Sequence, residues 1–440
     1  MRAAVLLVPC LLLLVGSSAG KKAAASNVAK PATNATLHTL PELHPPVLHI
    51  DQTAKRTSPG YVFVGQKGGK DRPWQGIISK AGIGRGSYVV YDASYKPLAT
   101  VKAAHGLDGD LHEFQLTPRG TAYITVYHEV PADLRSVGGP KDGYAYDSIV
   151  QELDLETGKV VFEWHSLGHV ALAESIQANR EPAHHATKKR PFDYFHVNSI
   201  ADGPAGTILI SGRNTSALYL LRRDGSIAWR LGGRRSDFGP AAAVKFRYQH
   251  NARFHGATTI SLFDNGAIPK EEPYTRPLVL RLDPAKKTAR IVKTFVHQKK
   301  LSSPFEGSLE LLPDGGAFVG WGGIRKVTEF TPGGKVRFQM TLPYGDTYRG
   351  YRLPWTGDPG GKPLVAVDGD RVYASWVGKR GIGRWQVLAG PDRDHLVVIA
   401  SRPWSGLETV IGLETPPKAV AVRALDASGH TLGQSAVLTP

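Results

Sequence analysis

Three histidines occur in similar sequence surroundings and are the residues best suited to carry chemistry. They lie in Leu111-His112-Glu-Phe, Phe195-His196-Val-Asn and Gln249-His250-Asn-Ala, and short runs rich in β-forming residues follow them. Histidine is the side chain that most readily serves as acid, base or nucleophile near neutral pH. One such histidine would favour a structural role, but three at equivalent positions favour a shared site.

Arg213 indicates what this site would bind. Its guanidinium stays protonated and offers a fork of donors suited to sulfate, phosphate or carboxylate, whereas it would repel a divalent metal ion. Asn198 lies two residues after His196, on the same side of a strand. Further polar candidates for substrate binding follow His250 closely, namely Asn251, Arg253 and His255. The pattern predicts an oxyanion site, and the alternative role for Arg213 is a surface salt bridge.

A repeated β unit has to position these side chains. Short β-rich runs alternate with turns, and four turns have a similar hairpin character, namely 154–158, 223–225, 283–286 and 331–334. Units of roughly 40 to 50 residues with four strands each are typical of β-propeller blades. Since the first strand of each blade lines the central channel, equivalent residues of different blades converge there.

We therefore predict an all-β fold with a six-bladed β-propeller over residues 49–360. Four repeats are recognisable, Tyr61–Ala103 is assigned as a fifth unit, and the chain ends, around Tyr348–Trp355, close a sixth. Residues 361–440 have a sequence pattern different from that of the repeats, with Trp376 and Trp385 on early predicted strands. They predict a C-terminal fibronectin type III-like β-sandwich, which would be an accessory domain.

The amino terminus predicts export. Arg2 precedes the apolar run Ala3–Val15 and small residues follow, so residues 1–19 are expected to form a cleaved signal peptide, with a membrane anchor as the alternative. Residues 20–48 lack periodicity and predict a flexible linker. No later stretch is long enough to span a bilayer, so we expect a secreted or extracytoplasmic protein without stable membrane insertion.

Composition narrows the classes of function. The chain of 440 residues has one cysteine, Cys10, which excludes an internal disulfide framework, a cysteine-based zinc site and a CxxC redox pair. The formal net charge of +16 comes from scattered basic residues. This pattern favours a solvated, anion-preferring surface over a nucleic-acid site.

Several motifs together resemble the arylsulfotransferase (arylsulfate sulfotransferase) family of exported β-propeller enzymes, over about Pro59 to Trp355. These motifs are 193–200, 211–217, 229–233, 249–250 and 261–266. The resemblance implies transfer of a sulfuryl group from a phenolic sulfate to a phenolic acceptor through a sulfohistidine intermediate. It implies small-molecule phenolic sulfates and phenols as partners, with no nucleotide sulfate donor, cofactor or metal.

The resemblance also implies a role for each residue of this chain that matches a family motif. His250 matches the nucleophile, and His112 matches a sulfate-binding or proton-transferring histidine. The groups that match holders of sulfate oxygens are His196, Asn198 and Arg213. A neutral imidazole can attack sulfur, and preorganised donors stabilise the oxygens in an in-line displacement. His255 lies only five residues beyond His250 and is a second candidate nucleophile.

Two other classes of function fit the same residues. The three histidines could be zinc ligands of a metal-dependent hydrolase or lyase with a histidine-lined channel. The chain could also be a non-catalytic extracellular propeller that binds a partner. The sequence does not choose an oligomeric state.

Overall fold

In the computed structural model, the regular secondary structure of the described residues is almost entirely β-strand. They are residues 36–43, 45, 48–54, 57–67, 77–78, 83–239, 244–266, 270–343 and 345–440. The predicted signal peptide lies outside them, as does much of the predicted linker. The all-β prediction is confirmed.

Thirty strands occur within this part of the chain. In chain order they are β1 (His49–Thr53), β2 (Tyr61–Lys67), β3 (Ile77–Ile78), β4 (Gly84–Arg85), β5 (Tyr88–Tyr91), β6 (Pro97–Val101), β7 (Gly109–Leu116), β8 (Thr121–Ala132), β9 (Gly143–Asp154), β10 (Val160–His165), β11 (Val197–Asp202), β12 (Ile208–Gly212), β13 (Ala217–Leu221), β14 (Ile227–Gly232), β15 (His250–His255), β16 (Thr259–Asp264), β17 (Arg276–Asp283), β18 (Thr288–Thr294), β19 (Ser308–Leu311), β20 (Ala317–Gly320), β21 (Lys326–Phe330), β22 (Val336–Thr341), β23 (Asp346–Leu353), β24 (Leu364–Asp368), β25 (Arg371–Ser375), β26 (Arg384–Gly390), β27 (Val397–Pro403), β28 (Glu408–Gly412), β29 (Ala419–Leu425) and β30 (Thr431–Gln434).

Helical structure is confined to short segments among the described residues. They are α1 (Glu181–His184) and the 3-10 turns Arg135–Val137, Leu172–Glu174 and Pro204–Gly206. None of these helices is long and apolar enough to cross a membrane.

Four consecutive meanders form the main antiparallel sheets. Their strands are β7–β10, β11–β14, β15–β18 and β19–β22, and β1 pairs with the outer edge of β22. The four hairpin turns recognised in the sequence each join the third and fourth strand of one meander. Glycine supplies the left-handed backbone in three of these turns, for example Gly225 with a φ of 85°.

Packing between sheets indicates that the first strand of each meander is the innermost. β7 and β11 are buried along most of their length, whereas every second residue of β18 is exposed. The first strands pack in chain order, β7 against β11, β11 against β15 and β15 against β19, with β23 next to β19. Large aromatic side chains such as Trp164, Phe195 and Tyr219 fill the space between the first two sheets.

The strand β2 pairs with β23, which brings together two segments far apart in the chain. The predicted fifth unit, Tyr61–Ala103, is therefore divided, because its first strand joins the closing sheet. The described residues in the rest of that stretch include the two-stranded sheets β3–β4 and β5–β6. The prediction assigned residues that are adjacent in sequence to one unit. In the structure β2 pairs instead with β23, and this pairing supplies hydrogen-bond partners to a strand edge that would otherwise be unpaired.

The described residues divide into two units. One comprises 48–90 and 98–353, and the other comprises 36–47, 91–97 and 354–440. The second unit contains a three-stranded sheet in the order β24-β25-β28 and a four-stranded sheet in the order β27-β26-β29-β30. Its core contains Trp385, Val387, Val420 and Val422.

Candidate active site

Irregular backbone near the start of the first strands positions the three histidines. The register of β7 shifts between Asp110 and Phe114, so His112 lies at a bulge. His196, directly before β11, has a φ of 58°, and the register of β15 shifts after His250. Such bulges and left-handed residues redirect side chains near functional sites. The three histidines are buried, with 5%, 6% and 3% of their surface exposed in chain order.

His112 and His196 form a directly bonded pair. Their Nε2 atoms lie 3.1 Å apart. The Nδ1 atom of His112 lies 2.5 Å from Asp110 Oδ1, and that of His196 lies 2.5 Å from Asp193 Oδ2. Because each Nδ1 donates to a carboxylate, a hydrogen bond between the two Nε2 atoms requires one ring to carry two protons.

The electrostatic surroundings indicate which ring of the pair accepts. Burial lowers the pKa of His196, and the charges of His112 and Arg213 add to this effect, although Asp193 opposes it. His196 therefore favours the neutral form, in which its Nε2 can accept a hydrogen bond. The direct contact between the two Nε2 atoms makes this pair the place in the site where a proton can be shared.

His250 has a different kind of partner on Nδ1. This nitrogen donates to the side-chain Oδ1 of Asn265 at 2.7 Å and to the carbonyl of Tyr248 at 3.0 Å. Two neutral acceptors fix the proton on Nδ1, which leaves the lone pair on Nε2. The backbone N–H of Glu306 donates to Nε2 over 3.3 Å.

The charge state of His250 follows from its surroundings. Burial holds its pKa well below the ordinary 6.5, and the positive charge of Arg213 and the two other histidines lower it further, against the hydrogen bond that Nδ1 donates to Asn265. A buried neutral imidazole with its lone pair on Nε2 has the form needed in a nitrogen nucleophile, and the N–H of Glu306 must release that lone pair before it attacks.

Arg213 provides the positive charge of the site. Its backbone N–H donates to the carbonyl of His196 at 2.9 Å, which places it directly after β12 and beside the pair. The guanidinium lies over the ring of Tyr248, 4.9 Å from the centroid, and donates to Asn214 Oδ1 at 2.8 Å. Within the described residues it has no ion pair, so most of its donors remain available to an anion.

A second group of charges lies one step further along the first strands. Glu113 is buried and accepts from Arg349 at 2.6 Å and from Arg253 at 2.7 Å. Arg349 also donates to the carbonyls of His112 and Asn198. We call Glu113, Arg253 and Arg349 the arginine–glutamate cluster. Both of its cations share the one carboxylate of Glu113 as an ion-pair partner, in contrast to Arg213.

The two predicted asparagines tie first strands together. Asn198 donates from Nδ2 to the carbonyl of Gln249 at 2.8 Å. Asn251 donates to the hydroxyl of Tyr351 and accepts from the backbone N–H of Leu309. These bonds fix the positions of β11, β15, β19 and β23 around the histidines.

His255 lies at the opposite end of β15 from His250. The two lie five positions apart on β15, which allows a separation of at most about 16 Å. His255 is exposed, and its Nε2 lies 2.8 Å from Ser261 Oγ. Of the residues singled out in the sequence, the structure brings together His112, His196, Arg213 and His250; it places Arg253 in the arginine–glutamate cluster and His255 outside both groups.

Comparison with known proteins agrees with the motifs. A family model described as Arylsulfotransferase (ASST) matches residues 73–342, which is more than half of the chain. The chain belongs to the arylsulfotransferase family. This membership supports a sulfotransferase-type function. No curated protein matches the chain significantly.

Solved structures resemble this arylsulfotransferase-family protein only distantly. A protein of unknown function from Bacteroides caccae is 13% identical, with a TM-score of 0.29 over 70% of this chain and 93% of that chain. The calcium-binding protein regucalcin from Agrobacterium tumefaciens is 14% identical, with a TM-score of 0.33 and coverages of 74% and 83%. Virginiamycin B lyase from Staphylococcus aureus is 9% identical, with a TM-score of 0.25 and coverages of 72% and 90%. These scores are too low to carry an argument.

The partners of the histidines in this family member were not predicted from the sequence. Asp110 lies two residues before His112 and Asp193 lies three residues before His196, so an acidic residue shortly before each of these two histidines was a usable signal. Asn265 lies fifteen residues after His250 and gave no such signal. Glu113 and Arg349 gave no such signal, because they meet only when β23 joins the ring of first strands. No three His, Cys, Asp or Glu side chains in the described ranges are arranged to hold a metal ion.

Proposed function

We propose that this protein is an arylsulfate sulfotransferase that moves a sulfuryl group from a phenolic sulfate to a phenolic acceptor through a sulfohistidine on His250. The observation that carries the proposal is the neutral His250, with its Nε2 lone pair, in the same cluster as Arg213 and a proton-holding histidine pair. The proposed reaction needs no nucleotide sulfate donor, metal or cofactor.

In the first half-reaction, His250 Nε2 attacks sulfur and the bond from sulfur to the phenolic oxygen breaks. The electron pair leaves with that oxygen, which takes the proton held by His112 and His196. Arg213 stabilises the sulfuryl oxygens, since its free donors suit an anion in a site shielded from water. An aryl leaving group departs as a stabilised phenolate, so a histidine acid suffices.

In the second half-reaction, the acceptor phenol gives its proton to the histidine pair and its oxygen attacks sulfur. The sulfur–Nε2 bond breaks and the electron pair returns to Nε2. The ring and the pair are then as they were before the first step. The same acid–base pair serves both directions, as microscopic reversibility requires.

Release of 4-nitrophenol from 4-nitrophenyl sulfate with a phenol as acceptor tests this function. We expect His250→Ala to reduce acceptor-dependent release by at least about a thousandfold, because the nucleophile is lost. His255→Ala is the matched comparison and should retain release, since that side chain lies at the exposed end of β15. An acid-labile sulfonate adduct should be detectable by mass spectrometry on the unsubstituted protein and absent from His250→Ala.

Three outcomes would overturn the proposal. Release that survives in His250→Ala would exclude this nucleophile. Loss of activity together with a stoichiometric metal removed by a chelator would favour the metal-dependent hydrolase or lyase. Binding of aryl sulfates without turnover would favour the non-catalytic propeller.

We further propose the finer features of the architecture and export. Six blades would comprise the four meanders, a fifth blade from β2 with β23 and a sixth from β3–β6. The three-stranded and four-stranded sheets of the second unit support a fibronectin type III-like sandwich. Residues 1–19 would be a signal peptide that directs the protein out of the cytoplasm.

A further inference from the structure

The three histidines of the site differ in what their Nδ1 atoms contact. His112 and His196 each face a carboxylate, Asp110 and Asp193 respectively. His250 faces the amide oxygen of Asn265. A carboxylate can accept a proton outright, whereas an amide oxygen and a peptide carbonyl accept only a hydrogen bond. The nucleophile is therefore the one ring of the three whose Nδ1 proton has no base beside it.

Neighbouring carbonyls fix the orientation of the Asn265 amide. Its Nδ2 donates to the carbonyls of Ser303 and Glu306 at 3.1 Å and 2.9 Å, and the residue is fully buried. Rotating the amide would place its NH₂ group against the Nδ1 proton of His250 and its oxygen against two carbonyl oxygens. The surroundings therefore permit one orientation, with Oδ1 towards His250.

We infer that Asn265 is a positioning residue that keeps the proton on Nδ1 of His250 throughout the reaction, so that the sulfohistidine stays reactive; this inference rests on the proposed function. With the Nδ1 proton retained, attack of the acceptor on sulfur expels a neutral imidazole. If that proton were lost, the same step would expel an imidazolate, which is far more basic and a poorer leaving group. The amide thus permits transfer out of the intermediate.

The substitution Asn265→Asp places a base where the amide lies. Attack of Nε2 on the donor should still occur, because a carboxylate also fixes the proton on Nδ1 of the free enzyme. Sulfonation makes the ring more acidic, so the Nδ1 proton then moves to the introduced carboxylate. We expect a burst of about one 4-nitrophenol per protein, followed by turnover at least about tenfold slower than in the unsubstituted enzyme.

The decisive measurement is the lifetime of the adduct on the full-length protein. The protein is mixed with 4-nitrophenyl sulfate, freed of excess donor and given a phenol, and adduct decay is followed by mass spectrometry. Asn265→Asp should lengthen the lifetime about tenfold or more, whereas a merely structural role would slow formation and decay together. Asn179→Asp adds the same charge at an exposed turn and should leave the lifetime unchanged.

A second measurement needs no substitution and applies even if Asn265→Asp does not fold. If the site retains the Nδ1 proton, the decay rate on the unsubstituted protein should not fall as pH rises between about 6 and 8. A decay rate that falls steeply as pH rises in this window would overturn the inference about Asn265. So would an adduct lifetime in folded Asn265→Asp equal to that of the unsubstituted protein. Neither outcome would overturn the proposed function. Absence of any adduct on the unsubstituted protein overturns the proposed function and this inference with it.

Discussion

At the residue scale, the neighbours of a histidine decide what it can do. Carboxylates hold the Nδ1 protons of His112 and His196, which suits rings that carry and pass on protons. Burial and the charge of Arg213 keep His250 neutral. One residue type therefore supplies both the acid–base pair and the nucleophile, and the difference arises from the surrounding charges and acceptors.

The lowered pKa of His250 predicts the acid limit of activity. Protonation of Nε2 removes the nucleophile, and the folded pKa lies well below 6.5, so kcat/KM should hold as pH falls through 6.5 and decline only at lower pH. Replacing Arg213 with Gln should raise the pKa of His250 and move the limit upward. A pH–rate profile of the unsubstituted enzyme measures this limit, and a decline of kcat/KM that begins at or above pH 6.5 would contradict the prediction.

The same shift has a consequence for stability. Below pH 6.5 an unfolded His250 takes up a proton that the folded site excludes, and His196 behaves in the same direction. The free energy of unfolding contributed by these two rings therefore falls as pH drops below 6.5 towards their folded pKa values.

At the scale of elements, the segment directly before β19 packs closely against β16. Gly307 has a φ of 105°, and a Cβ placed on it would overlap the ring of Phe263. Phe263 is the cross-strand partner of His250, and Glu306, directly before Gly307, donates to His250 Nε2. Because residue 307 has no side chain, this segment can approach Phe263 closely enough for the N–H of Glu306 to reach His250 Nε2.

Gly307→Ala should lower both stability and turnover. We expect a loss of about 3 to 5 kcal/mol in the free energy of unfolding, from positive φ combined with overpacking. Gly315→Ala is the matched control, because Gly315 has a φ of 81° and nothing within 4 Å of its Cβ position. It should cost about 1 to 2 kcal/mol and leave turnover intact. Equal effects of the two substitutions, by chemical denaturation, would refute the packing argument.

At the scale of the first unit, the arginine–glutamate cluster joins strands that are distant in the chain. Glu113 comes from β7, Arg253 from β15 and Arg349 from β23. Burial alone would raise the pKa of Glu113, but the two arginines hold it below the usual value. The ionised Glu113 therefore contributes to stability in full above about pH 4.5, and this contribution is lost as pH falls through the lowered pKa of the folded state.

Glu113→Gln should strongly destabilise the protein. It leaves two buried guanidinium groups without a counter-charge, and we expect a loss of about 3 to 5 kcal/mol. The control is Glu129→Gln, which removes the partner of Arg85 in a half-exposed ion pair and should cost less than about 1 kcal/mol. Thermal unfolding measured side by side tests the difference, and similar Tm shifts would contradict the role assigned to the cluster.

Residue types and spacing alone determined much about this protein. The alternation of β-rich runs and turns indicated the all-β class and located the hairpins, because these are local properties of the chain. The repeated position of three histidines indicated convergence, and Arg213 indicated an anion. His112 and His196 are in direct contact, and His250 lies close enough for the charges of Arg213 and both rings to lower its pKa.

Only the tertiary structure decided which partners these residues have. Pairing between distant strands placed β2 beside β23, and packing brought Arg349 to Glu113, a contact between residues more than two hundred positions apart. Distance along β15 separated His255 from His250, although the two are close in sequence. The acceptor at Nδ1 of His250 comes from the end of the neighbouring strand, so whether that ring meets a carboxylate or an amide depends on packing rather than on local pattern.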